Sequence, residues 1–213
     1  MSNYQTSLNL SNPDRHLPQA QVIEIPDGEL LFYPQLFDPA ESDRFFTQLR
    51  SEINWQQQAM KMYGKAVNLP RLTAWYGDGG KNYTFSGISL QPNPWIPDLL
   101  TIERRIEDLA HTAFNSVLLN LYRSGQDGIG WHADNEPELG SNPIIASVSF
   151  GDTRRFQLRH RSDSQVKKVE IPLTHGSLLV MLGTTQHYWQ HQIPKTAKQI
   201  SERINLTFRS IQS

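Results

Sequence analysis

The sequence predicts an α+β chain that is mainly β: a sandwich or jelly roll braced by two N-terminal helices. Two amphipathic helical stretches lie in the first half. From Ser116 onward, eight short segments rich in β-branched and aromatic residues follow one another, separated by Gly, Pro, Asn or Asp. Helices precede strands instead of alternating with them, which argues against βαβ units.

Taken in order, residues 1–20 are polar and interrupted by Pro, as expected of a flexible tail, and residues 21–213 form a single domain. "VIEIPDGELLFY" alternates around Pro-Asp-Gly and predicts a hairpin. In "DPAESDRFFTQLRSEI", Asp38 is the N-cap, Pro39 the first helical position and Glu41 the capping-box residue. Phe45, Phe46, Leu49 and Ile53 then make one apolar stripe. After Pro97, a second stripe runs through Leu99, Ile102, Ile106, Leu109 and Ala113. The expected strands are "SVLLNLY", "GIGWHAD", "PIIASVSF", "RRFQLRH", "VKKVEIPL", "GSLLVML", "QHYWQHQI" and "RINLTFR".

Composition removes several classes. With Cys 0 there is no disulfide framework and no thiolate metal site. A formal net charge of -1 gives the whole protein no preference for polyanions, so any nucleic-acid contact has to be local. No secretory leader and no membrane-length apolar run is visible, so the expectation is a soluble, cytoplasmic protein without membrane contact.

The chemistry begins at His132 and Asp134. One residue apart on a strand, they point to the same side. "HYWQH" offers a third ligand, His187 or His191. Two His and one carboxylate form the facial triad of non-haem Fe(II) oxygenases, although zinc competes for the same donors and His-x-Asp also arises by chance. In "RINLTFR", Arg203, Asn205, Thr207 and Arg209 share one face, and Ile204, Leu206 and Phe208 the other. That polar face is either solvated or turned into a barrel mouth. In the second case two guanidinium groups can hold a small dicarboxylate between them. Asn120 and Tyr122 of "NLY" share a face that can reach the same ligand. Together these features describe an iron site beside a 2-oxoglutarate pocket.

The stretches "YGDGGKNYTFSG", "PNPWIP", "NLYRSGQDGIGWHADNE", "PIIASVSFG", "HGSLLVM" and "RINLTFR", in that order, resemble the AlkB family of Fe(II)- and 2-oxoglutarate-dependent nucleic-acid demethylases. The resemblance runs from about Phe32 to the C-terminus and is closest to the DNA-repair branch of the human homologue 2 type. It implies a double-stranded β-helix, with residues 21–115 as nucleotide-recognition and helical support region and 116–213 as jelly-roll core. It selects His191 over His187, so that His132, Asp134 and His191 are the metal and catalytic residues. It makes Asn120, Tyr122, Arg203, Thr207 and Arg209 the 2-oxoglutarate site, with dioxygen as the second co-substrate. The implied reaction is oxidative demethylation of 1-methyladenine and 3-methylcytosine in DNA, with release of formaldehyde; the same chemistry on methylated RNA is the alternative.

A methyl on a base-pairing edge must be flipped out or already single-stranded. The resemblance makes Tyr83, Thr84 and Phe85 part of the base pocket, with an aromatic ring and the His132 imidazole clamping the base. Such bases carry positive charge, which an aromatic face attracts; Asn135 and Glu136 are placed to read the exocyclic amine. Tyr63 occupies the position of an intercalating finger where Phe is expected, and Gly64 and Lys65 follow it along the backbone. Arg71 is expected near the pocket rim. Arg161, Lys167 and Lys168 flank a loop tip and are read as phosphate contacts. The protein is expected to act as a monomer. The rival readings are a binding module with a decayed metal site and a zinc hydrolase; neither needs two Arg aimed at one ligand.

Overall fold

The computed structural model describes residues 19–62, 65–80, 83–85 and 88–212. The expected tail to residue 18, Tyr63 and Gly64 therefore lie outside the described residues.

The hairpin forms as β1 (Gln21–Ile25) and β2 (Gly28–Tyr33), with Ile25 opposite Gly28 across a turn in which Asp27 has φ 53°. Helix α1 (Pro39–Glu52) starts as expected, with Asp38 Oδ1 accepting the Glu41 N–H at 2.8 Å. The second half of the capping box does not form. Glu41 instead turns its carboxylate to Arg105 Nη1, 2.6 Å away on α2 (Pro97–Ala110), and ties the two helices together. His111, in the left-handed conformation at φ 50°, ends α2, so Ala113 falls outside the helix and is exposed.

Between the helices lie β3 (Ala59–Met62), β4 (Lys65–Asn68), β5 (Leu72–Gly77), β6 (Tyr83–Phe85) and β7 (Ile88–Leu90). All eight strands expected after Ser116 are present: β8 (Ser116–Tyr122), β9 (Ile129–His132), β10 (Ile145–Gly151), β11 (Arg154–His160), β12 (Val169–Leu173), β13 (Ser177–Leu182), β14 (Trp189–Ile193) and β15 (Arg203–Arg209). "QHYWQHQI" is shortened at its start by a one-turn helix, α3 (Thr185–Tyr188).

The strands form an antiparallel seven-stranded sheet, in the order β1-β2-β13-β10-β15-β8-β5, and a four-stranded sheet, β12-β11-β14-β9. This two-sheet jelly roll is the expected class. The large sheet also takes β1, β2 and β5 from before residue 116. Its outer face carries the helices over a core that includes Phe45, Leu49, Ile102, Ile106, Val148, Leu206 and Phe208. Its inner face meets the small sheet through Leu118, Phe156, Leu158, Leu179, Met181 and Trp189. Every residue of β8 is buried, which is why "SVLLNLY" reads as an almost unbroken apolar run. Each fully buried Leu, Ile or Phe contributes roughly 1.5–3 kcal/mol.

β15 is central in the large sheet and therefore has no solvated face. Ile204, Leu206 and Phe208 point to the helices, so Arg203, Asn205, Thr207 and Arg209 must point between the sheets, where all four are buried. The barrel-mouth alternative is the one the fold adopts.

Candidate metal centre and co-substrate pocket

His132 and His191 are direct cross-strand partners on β9 and β14. That register brings together imidazoles 59 residues apart in the chain. Between this pair and Ile129–Ile193 the register slips by one residue on β9, a bulge that turns Ile129 and His132 to the same interior. Asp134 follows just beyond the strand. Its position is fixed by Gln186, whose buried Oε1 accepts the Asp134 N–H at 2.9 Å.

The donor atoms of His132, Asp134 and His191 lie within 4.8 Å of one another. Their chemistry suits a divalent cation. His132 Nδ1 donates to the Gly130 carbonyl at 2.8 Å, which fixes the tautomer and leaves the Nε2 lone pair for a metal. Burial, reinforced by the neighbouring His132, pushes His191 down to about 3, so it is a neutral donor at pH 7. Burial also lowers His132. Burial alone would raise Asp134, but the Arg209 guanidinium and the two imidazoles outweigh it and hold the carboxyl at about 2. Phe156 stacks on the His191 ring at 5.1 Å between centroids and restricts its rotation.

His187 is exposed on α3, where Arg161 donates to its carbonyl, and it is not in the three-residue ligand group. The spacing of "HYWQH" allowed either His; the strand register brings only His191 opposite His132.

The same cavity is lined by Asn120, Tyr122, Arg203, Thr207 and Arg209. In the β8–β15 pairing, Tyr122 is opposite Arg203 and Asn120 opposite Asn205. Arg203 is 1% exposed; its Nη2 donates to Ser149 Oγ at 2.9 Å, while Nε and Nη1 are buried without an acceptor among the described residues. Burial lowers its pKa to about 10, so the group stays charged at neutral pH. Two orphaned donors on one buried cation are the feature that a carboxylate satisfies. Arg209 lies 2.9 Å from Asp134, both nearly inaccessible, and neutralises that ligand. The residues therefore fit both a metal and a small dicarboxylate.

Other expected residues are placed less uniformly. Arg71 is not on the rim: it is 3% exposed, with Nε donating to Asn120 Oδ1 at 2.7 Å and Nη1 to the Gly128 carbonyl at 3.3 Å. It braces the pocket from behind because the β5–β8 pairing sets Leu72 opposite Leu121 and Thr73 opposite Asn120, which brings the Arg71 side chain within reach of Asn120. Asn135 is exposed; Glu136 is half-buried, with Oε2 lacking a donor among the described residues. Lys65 is exposed on β4. The strand backbone of Tyr83, Thr84 and Phe85 is described, but their side chains are outside the described set. Arg161, Lys167 and Lys168 are exposed and line one open cleft with Arg159 and Gln190, apart from the metal-ligating cavity.

Sequence reasoning missed Gln186, Phe156 and the serines of β10. Ser147 and Ser149 lie opposite Thr207 and Asn205 and extend the polar interior. Their signal was present in "IASVSF", where small polar residues alternate with apolar ones. Gln186 had no comparable signal, because its partner is a backbone amide 52 positions away.

Comparison with known proteins agrees with this geometry. Residues 29–209 match the 2OG-Fe(II) oxygenase superfamily. The chain is 44% identical to human alpha-ketoglutarate-dependent dioxygenase alkB homolog 3, covering 92% of this chain and 75% of that protein. It is 43% identical to human DNA oxidative demethylase ALKBH2, covering 84% and 72%. It spans 66% of the mouse alkB homolog 3. The solved structure of OsALKBH1 superposes with a TM-score of 0.61 at 19% identity, over 89% of this chain and all of that one, and shares the fold. A facial triad, a buried arginine pair and a match spanning nearly the whole described chain lead to one assignment: the chain belongs to the 2OG-Fe(II) oxygenase superfamily and, within it, to the AlkB family of iron- and 2-oxoglutarate-dependent dioxygenases.

Proposed function

We propose that this dioxygenase removes N-linked methyl groups from 1-methyladenine and 3-methylcytosine in DNA, in direct repair of alkylation damage. The observation that carries the reading is the convergence of His132, Asp134 and His191 on one point of a cavity that Arg203 and Arg209 also line. The names of the relatives, DNA oxidative demethylase among them, support a nucleic-acid substrate.

Bound iron, 2-oxoglutarate and dioxygen supply the oxidising chemistry, which converts the co-substrate to succinate and carbon dioxide and the methyl group to a hydroxymethyl that leaves as formaldehyde. The protein's own part is positioning. His132 and His191 would offer neutral nitrogens and Asp134 an ionised oxygen, so the site needs no proton loss at neutral pH before it loads a metal. Arg203 would take the distal carboxylate of the co-substrate on its orphaned donors, with Asn120, Tyr122 and Thr207 completing the wall. Arg209 would hold charge balance beside Asp134. Glu136, with an unpaired buried oxygen, would meet the positive charge of the methylated base. Arg161, Lys167 and Lys168 would contact phosphates. No helix among the described residues is long and apolar enough to cross a membrane; we place the enzyme in the cytoplasm, acting as a monomer.

The test is formaldehyde and succinate release from oligonucleotides carrying 1-methyladenine or 3-methylcytosine, as single-stranded DNA, duplex DNA and RNA. The DNA substrates should turn over only with Fe(II) and 2-oxoglutarate, and His191→Ala should lose more than about 100-fold while His187→Ala stays within about twofold, since deleting one facial ligand opens the metal site. Turnover confined to RNA would move the substrate to the alternative; no turnover of either would overturn the demethylase reading.

A further inference from the structure

The small sheet has an outer face that the proposed chemistry does not use. On β11 the alternation sends Phe156 and Leu158 inward and Gln157 and Arg159 outward; on β14 Gln190 and Gln192 point outward. Trp131 joins that outer face. Because of the β9 bulge its neighbour His132 enters the metal site, while the indole lies under Arg159, with Cζ 4.4 Å from the ring centroid, and Lys168, with Nζ at 5.7 Å. Arg159 is held there by two hydrogen bonds from Nε and Nη2 to Gln190 Oε1, at 3.1 and 2.8 Å.

This platform borders the open cleft that also contains Arg161 and Lys167, where four cations face a single carboxylate, Asp163. The whole chain carries -1, so this local excess is set against the overall balance. Four neighbouring cations repel one another unless something anionic lies over them. β9 is the edge strand of its sheet, so a chain leaving the metal site has one strand to cross before it reaches Trp131.

We propose that Trp131, paved by the guanidinium of Arg159, is a stacking platform for a nucleotide of single-stranded DNA next to the base held at the metal, and that Lys168 and the adjoining cleft hold its phosphates. The proposal rests on the nucleic-acid reading above and adds a binding site to it. A guanidinium lying on an indole keeps its outer plane free for a base, and base stacking tolerates any sequence. Such a platform selects strands long enough to reach from the metal site around the edge.

The experiment is fluorescence anisotropy with an unmethylated 15-nucleotide single strand at several salt concentrations, compared with a trinucleotide. Trp131→Leu should weaken binding of the 15-mer about 5–10-fold with little change in salt dependence, since one stacked base is worth about 1–3 kcal/mol. Trp131→Phe should restore most of it. Arg159→Met should weaken binding as well and reduce the salt slope by about 0.7. Trinucleotide binding should change less than twofold in all three. Arg44→Gln, which removes a cation from α1, should leave the 15-mer affinity unaltered. Equal binding of the 15-mer by wild type and Trp131→Leu, or an equal loss in Arg44→Gln and Arg159→Met, overturns the platform. If the 15-mer results hold but no methylated strand is turned over, the demethylase reading fails and the platform stands.

Discussion

Single residues in this protein are set by what surrounds them more than by their type. Glu103 is the clearest case outside the site. It is 8% exposed on α2, and burial, with Glu107 and Asp78 nearby, raises its pKa to about 7. Its folded pKa lies above the ordinary carboxylate value, so the fold favours the protonated form. The penalty is absent below about pH 4.5, grows as the pH rises towards 7 and is complete above it. Glu103→Gln should therefore be more stable than wild type by about 1–2 kcal/mol at pH 8, after allowance for solvent screening, and should lose the advantage at pH 4.5. Urea unfolding at the two values checks this; a variant with the same offset at both would contradict the assignment. Arg203 is the opposite kind of buried charge. It keeps its proton and leaves two donors unsatisfied, and that cost is consistent with a residue whose partner is a ligand.

At the scale of elements, the turn between β10 and β11 shows how little room the fold leaves. Gly151 has φ 91°, and a Cβ there would sit 2.4 Å from the Glu202 carbonyl and 2.8 Å from the Phe46 ring. Gly151→Ala should cost more than about 2 kcal/mol, because backbone conformation and backbone contact both oppose it. A thermal melt within about 2 °C of wild type would show that the turn relaxes freely. β15 carries the larger lesson. Its alternation was legible in "RINLTFR", and so was the existence of a polar face. That the face is interior was not, because it depends on β10 and β8 flanking β15 and on helices covering the other side. Arg71 was misjudged for the same reason: a long charged side chain is normally exposed, and only the β5–β8 pairing brings this one within reach of Asn120.

For the whole molecule, the two sheets clasp the site between them, so filling the site should stabilise the fold. Mn(II) with 2-oxoglutarate, added without oxygen at about 100 times their dissociation constants, should contribute about 2.7 kcal/mol per ligand and raise the melting temperature by about 10–20 °C in all. Arg203→Met should keep the metal increment and lose that of 2-oxoglutarate. Loss of both would mean that Arg203 supports the sheet and not the ligand.

The sequence by itself determined the order of elements, the two helices with the Asp38 cap of the first and most of both apolar stripes, the eight strands from Ser116, and the pairing of His132 with Asp134. These follow from periods of 3.6 and 2 residues, which any short window of the chain carries. Periodicity and spacing left both histidines of "HYWQH" and both directions of the β15 arginines open, and only the family resemblance chose between them; the tertiary structure decided them physically, and it alone put Trp131 outside and His132 inside. Those outcomes depend on register between strands distant in the chain and on one bulge, and a shift of one residue would reverse each of them.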